Sequence, residues 1–240
     1  MQVTGNNIPS PHKSIRLCMD GLSFFQADAW KRIDTPMGKP NLERELAKFL
    51  CHPHSAANND ACTSILAEYP YTILLPQGFM NQEEALQAFR FHFPEANATQ
   101  FVVMWQDLPT FPLTLVFAIP AHTYHLVQQS FTTVTWSHYL ITHLEHCLKV
   151  SKQQGQKQVW IAAFEHFIHI ALVQNGHLLF ANHFSISSTI DVVYFCAQVY
   201  NQYDLSQQET PAYVLNDQEA FNSLQKHLTY CYFQPLYAHR

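Results

Sequence analysis

Residues 159 to 234 constrain the fold more than any other stretch, because hydrophobic periods of two and of 3.6 residues alternate there in a fixed order. Val159 to Ala163, Phe167 to Val173 and His177 to Phe184 read as three consecutive strands. A helix from Val192 to Tyr200, a strand from Ala212 to Leu215, a helix from Gln218 to Leu228 and a short strand from Tyr230 to Phe233 follow. Asn175-Gly176 between the second and third strands is a hairpin signal, since both turn positions require positive φ. The middle strand is apolar on both faces, which predicts a central position covered by helices on each side. Ser188-Thr-Ile-Asp191 has the spacing of a capping box and should open the first helix, whose apolar circumference predicts burial.

The first half repeats this pattern loosely. Ile15 to Asp20 and Leu22 to Asp28 form a hairpin around Asp20-Gly21, and Asn41 to Leu50 has an amphipathic helical stripe. Tyr71 to Leu75 reads as a strand, and Asn81 caps a helix running to about Phe91. Phe101 to Gln106 and Leu113 to Ile119 are strands, Pro120 opens a helix, and Ser137 is expected to cap another reaching about Lys149. The polar run from Lys149 to Gln158 is the expected lobe boundary. Two weakly repeated β-β-β-α-β-α halves predict an α/β protein of mixed sheets with helices on their faces.

A chain of 240 residues with 48% apolar residues can bury a large core. Its charged fraction of 13% is about half the usual share, so amides, hydroxyls and histidines carry the polarity. Such a surface is weakly defended against association, which points to a protein partner, self-association included. The net charge of -5 and the scattered Lys and Arg residues argue against nucleic acid. No apolar run reaches a membrane span, and residues 1 to 14 lack a signal peptide's apolar middle, so a cytoplasmic protein is expected. The six cysteines form no Cys-x-x-Cys pair and should be buried thiols.

Four segments carry a resemblance: Ile15 to Asp28, Thr72 to Phe79, Val116 to Ala121 and Leu178 to Tyr194. With them the chain resembles an uncharacterised family of bacterial proteins with an actin-like ATPase fold. The resemblance implies two ribonuclease-H-like lobes flanking a cleft: residues 1–150, with an insertion around 29–70, and residues 151–240. It implies no assigned activity.

A working member of that fold closes two loops of the form Asp-x-Gly-x-Thr on phosphate, because only glycine lets backbone N–H groups approach the oxygens so nearly. Here the first loop matches partly, as Asp20-Gly21-Leu22-Ser23, and the second falls in Ala163-Phe164-Glu165-His166, which has no glycine. None of the six glycines pairs with another as an adenosine motif would require. The expected function is therefore a non-catalytic interaction or scaffold protein on a degenerate ATPase fold, with no cofactor. The alternative is a divergent nucleotide-binding ATPase holding its ligand through Asp20, Gly21, Ser23 and Glu165.

Other constellations are weaker. His122 and His125, and His143 and His146, stand three apart on helices, and His52 with His54 lies in a loop. None gains the further ligand that zinc needs, and His143 and His146 are placed on a solvent face opposite Leu140, Leu144 and Leu148. No metal site is expected. Ser187, Ser188 and Asp191 are explained by a helix start rather than by nucleophilic chemistry. Trp105, Phe111, Trp136, Tyr139, Tyr194, Tyr200, Tyr203, Tyr230 and Tyr232 divide between core and surface in a way that sequence does not sort.

Overall fold

The structure is a computed structural model that describes residues 13–18, 21–26, 29–34, 44, 63–78, 80–131, 133–215 and 217–234. It divides into two units, Met1–Ile141 and Thr142–Arg240. The division falls inside a helix, at the opposite end from the polar run where the sequence suggested it.

In the first unit, β1 (Lys13–Cys18), β2 (Gly21–Gln26) and β3 (Ala29–Asp34) form an antiparallel meander. β4 (Thr63–Glu68) and β8 (Val134–His138) add in parallel, giving the order β3-β2-β1-β4-β8. Ile15 and Leu17 on β1 face Ile65 and Ala67 on β4, and all four are buried. Strands β3, β4 and β8 were not marked in the sequence. The helix expected over residues 41 to 50 lies outside the described residues except for Arg44, which is helical.

Between β4 and β8 the chain builds a second sheet of order β5-β7-β6. Its strands are β5 (Thr72–Pro76), β6 (Phe101–Asp107) and β7 (Leu113–Pro120), with helices α1 (Gln82–His92) and α2 (Ala121–Ser130). The Asn81 side chain accepts the Glu83 and Glu84 N–H groups while Glu84 reaches back to the Asn81 N–H, a capping box that fixes the start of α1. Phe89 on α1 and Phe93 just past its end then pack with Ile73, Val103, Trp105 and Val116, and the Tyr71 ring meets Phe93 edge-on at 5.1 Å. The insertion expected around residues 29–70 falls largely outside the described residues, and the described segment that exceeds a five-strand pattern is 69–133.

Ser137 does not cap the next helix, α3 (Tyr139–Gln154). Its hydroxyl donates to Gln106 Oε1 at 3.0 Å and so joins β8 to β6. The cap is His138 instead. Its Nδ1 accepts the Leu140 N–H at 3.2 Å, which leaves Nε2 to donate to the Tyr69 carbonyl at 3.0 Å. A histidine reads in sequence as a polar surface residue, yet this one is fully buried because both ring nitrogens have partners.

The second unit follows with β9 (Gln158–Ala163), β10 (Phe167–Gln174) and β11 (His177–Ser185) as an antiparallel meander. Helix α4 (Thr189–Gln202), β12 (Ala212–Leu215), α5 (Gln218–Leu224) and β13 (Cys231–Gln234) complete it. β12 is parallel to β9 and to β13, giving the order β11-β10-β9-β12-β13. Each unit thus places its second strand antiparallel to the other four, in the order third, second, first, fourth, fifth. That is the ribonuclease-H-like arrangement expected of both halves.

One face of this sheet buries Val159, Ile161, Ile168 and Ile170 against Val192, Cys196 and Val199 of α4. On the other face Trp160 stacks on Tyr213 at 4.2 Å, and Tyr213 stacks on Tyr232 at 5.3 Å, following the register of β9, β12 and β13. The His146 ring of α3 meets Trp160 edge-on at 5.3 Å. The solvent-face placement of His143 and His146 is therefore corrected: His143 is buried and His146 half-buried, because α3 is apolar or uncharged on nearly every side. Helix α4 departs from expectation in the other direction. Its outer face leaves Ile190 at 76% and Tyr194 at 55% exposure. The hairpin at Asn175-Gly176 forms as expected, with φ of 49° and 75°.

Candidate functional site

The two hairpins between the first and second strands occupy equivalent places in the two units, and the candidate residues fall on them. In the first unit the register of β1 and β2 runs to Cys18↔Gly21. Asp20 lies outside the described residues. Gly21 is the first residue of β2, between Cys18 on one side and Asp34 on the other, so it is a strand residue rather than the turn residue the sequence suggested.

Ser23 is buried and stands opposite Arg16 in the register. Arg16 meets Glu68 at the end of β4, with Nε at 2.8 Å and Nη2 at 2.7 Å from the same carboxylate oxygen. The Glu68 side chain is 1% exposed, so these are charges held largely away from water. Sequence reasoning missed this pair. The signal was a lone arginine inside one apolar run, Ile15 to Cys18, and a lone glutamate at the end of another, Ile65 to Glu68.

In the second unit β9 ends at Ala163 and β10 begins at Phe167. The Phe164 N–H donates to the Phe167 carbonyl at 2.9 Å, and the two phenyl rings stack at 4.6 Å and 16°. The His166 carbonyl accepts the Ile186 N–H at 3.0 Å, which ties the turn to the end of β11. Glu165 is exposed at the tip, with Oε1 3.9 Å from His166 Nε2. In water such a contact contributes little. Gly21 and Ser23 thus sit together on one hairpin, and Glu165 with His166 on the other.

The remaining polar clusters have local explanations. The Asp191 carboxylate accepts the Ser187 and Ser188 N–H groups at 2.7 and 2.9 Å, and these bonds hold its pKa below the usual carboxylate value. This is helix capping, as the spacing suggested. Burial lowers His143 to a pKa of about 3, so it is neutral; its Nδ1 lies 3.5 Å from Cys147 Sγ. Burial pushes the Cys196 thiol up to about 12 and the Cys231 thiol up to about 11, which makes both poor nucleophiles at neutral pH. Cys18, Cys147, Cys196 and Cys231 are free thiols. His122 and His125 are exposed on α2, and among the described residues no group of three potential metal ligands assembles. His52 and His54 lie outside the described residues. A cavity of about 90 Å³ lies between α4 and α5, lined by Val193, Cys196, Tyr200, Leu224 and His227. The aromatic residues that sequence could not sort fall into three groups: Trp105, Trp136, Tyr139 and Tyr200 are buried, Phe111 and Tyr203 half-buried, and Tyr194, Tyr230 and Tyr232 exposed. Among the described residues no helix is long and apolar enough to cross a membrane.

A family model described as "Protein of unknown function (DUF3822)" matches residues 14–235. A similar solved structure is a Bacteroides thetaiotaomicron VPI-5482 protein with actin-like ATPase fold and unknown function. It is 19% identical with a TM-score of 0.75, over 93% of this chain and 90% of that one. The PilM-PilN type IV pilus biogenesis complex is similar at 10% identity and a TM-score of 0.61, over 93% of this chain and 87% of that one. No curated protein matches the chain. Likeness at such identities concerns the fold, and the fold is actin-like.

Proposed function

Since the chain belongs to the DUF3822 family of proteins of unknown function and has an actin-like ATPase fold, we propose that it is a non-catalytic protein-interaction module. The reading rests on the β9–β10 hairpin. A loop that grips phosphate must present backbone N–H groups without side chains in the way. Here the Phe164 N–H is bonded to Phe167, and stacked phenyl rings flank the turn. The apolar side chains on the surface supply the other half of the reading. Ile190 and Tyr194 share the outer face of α4, and Phe91 on α1 is 83% exposed. Large apolar side chains kept in water mark contact surfaces. One protein of similar fold is found in a complex, PilM-PilN. The free thiols support a reducing, cytoplasmic setting.

Calorimetric titration with ATP and Mg²⁺ tests this reading, and the expected result is no saturable heat. Saturable micromolar binding overturns it in favour of a divergent nucleotide-binding protein. The Asp20-Gly21 pair at the first hairpin and the exposed Glu165 at the second are what favour that alternative. In that case Asp20→Ala should abolish the binding.

A further inference from the structure

Helix α4 carries an apolar strip whose character changes along its length. Ile190, Val193 and Ala197 are spaced so that they share one flank of the helix. Val193 and Ala197 line the cavity of about 90 Å³ between α4 and α5. Ile190 lies about two turns before Ala197 and is 76% exposed. A cavity open to solvent and a bare aliphatic side chain thus stand on the same flank of one helix.

The chemistry of the cavity decides what it can take. Cys196, Tyr200, Leu224 and Leu228 line it and are buried. The Tyr200 hydroxyl donates to the Thr210 carbonyl at 2.9 Å, and the Gln207 carbonyl accepts the Thr229 N–H at 3.2 Å. These polar groups of the wall are bonded within the chain, so the interior suits a neutral, apolar group. An apolar cavity of about 150 Å³ admits benzene, and one of about 90 Å³ matches the smaller, four-carbon side chain of isoleucine. At the mouth, Lys226 is exposed next to His227, which lines the cavity. Asp191, next to Ile190, is the only charged residue of α4.

We propose that Ile190 of a second copy of this chain fills this cavity, reciprocally, about a two-fold axis beside Val193 and Tyr194. Antiparallel α4 helices that cross there set Ile190 of each copy opposite Ala197 of the other, so both cavities close at once. Tyr194, 55% exposed, meets Val193 of the other copy near the axis. Asp191 of each copy comes to the side of Lys226 of the other, which places opposite charges across the contact. A two-fold contact needs a surface that complements itself, and this flank supplies both the knob and the hole.

The pairing names a partner for the interaction module proposed above and rests on that reading. Sedimentation equilibrium of the full chain, from low micromolar to about a hundred micromolar, a range typical of modest association, should show a monomer–dimer equilibrium. Ile190→Ala removes the inserted side chain at an exposed position and should weaken the dimer at least about tenfold. Ala197→Leu fills the cavity from within. It should abolish the dimer while the melting temperature stays level or rises, an outcome that misfolding cannot produce. Lys226→Glu sets like charges across the contact and should weaken the dimer about threefold, by less as salt is raised. A chain that stays monomeric throughout overturns the pairing and leaves the non-catalytic reading standing; so does a dimer that Ile190→Ala and Ala197→Leu leave unchanged. A monomer whose Val193 and Ala197 amide signals shift with added N-acetyl-leucinamide overturns it too, since the cavity then takes the side chain of a different protein. ATP binding by a dimer that responds to Ile190→Ala has the opposite meaning, sinking the non-catalytic reading alone.

Discussion

The two units share a strand order but hold it together with different chemistry. The first places an ion pair, Arg16–Glu68, between its two central strands, and secures β8 through Ser137 to Gln106 and His138 to Tyr69. The second fills one face of its sheet with aliphatic side chains and ladders three aromatic rings across the other. Polar contacts fix register through geometry and fail abruptly when one member is lost. Apolar contacts are graded in the area they bury. Identical topology therefore does not imply identical tolerance to substitution, and the difference can be measured.

Trp160→Ala should be the most damaging change, costing about 3–5 kcal/mol by removing a fully buried ring from the second unit. Hydrogen exchange should rise across β9, β10 and β12 and not in β5 to β7. Glu68→Ala should cost about 3 kcal/mol in the first unit by taking from Arg16 the buried carboxylate it meets. Unlike the tryptophan loss, most of that cost should return in the paired variant Arg16→Met, Glu68→Leu. Recovery of less than half in denaturant melts would remove the contrast between the units.

Acid should weaken both units. His138 in the first and His143 in the second each have a pKa lowered to about 3 by burial, against an unfolded value near 6.5. The unfolded chain takes up these protons first, so stability is intact above pH 6.5 and falls as pH drops towards 3. The slope is about 1.4 kcal/mol per pH unit for each histidine. His143→Leu should flatten the slope by about half of the two-histidine total; an unchanged slope would mean that His143 is already protonated in the folded chain.

Smaller effects refine the comparison at single hydrogen bonds. Ser151→Ala removes the acceptor of the Gly176 N–H, 3.2 Å away, and should cost about 1 kcal/mol, as should loss of the α1 cap in Asn81→Ala. Glu165→Gln should change stability by less than about 0.5 kcal/mol, since its contact with His166 is in water. A larger loss would show that the β9–β10 turn depends on that carboxylate.

The second unit was far more legible in the sequence than the first. Its first three strands are apolar runs of six to nine residues, its turn is Asn-Gly, and its helix begins with a Ser-x-x-Asp spacing, so local signals agreed with the fold. The errors arose where tertiary contacts override local preference. β8 is short and ends in Ser137-His138, which resembles a helix cap until Gln106 and Tyr69 are in place. β3 carries three charges and so hides its strand period. The site was less legible still. The resemblance located both hairpins, but the Arg16–Glu68 pair joins positions 52 apart in sequence, and no local pattern links them.

The stacked column that begins at Trp160 also has an optical consequence. The chain has four tryptophans, and Trp160 is the only one within residues 142 to 240. Its emission therefore reports on one half of the molecule without any label. With Trp30, Trp105 and Trp136 replaced by phenylalanine, a single fluorescence trace would reveal whether the halves melt together or in succession.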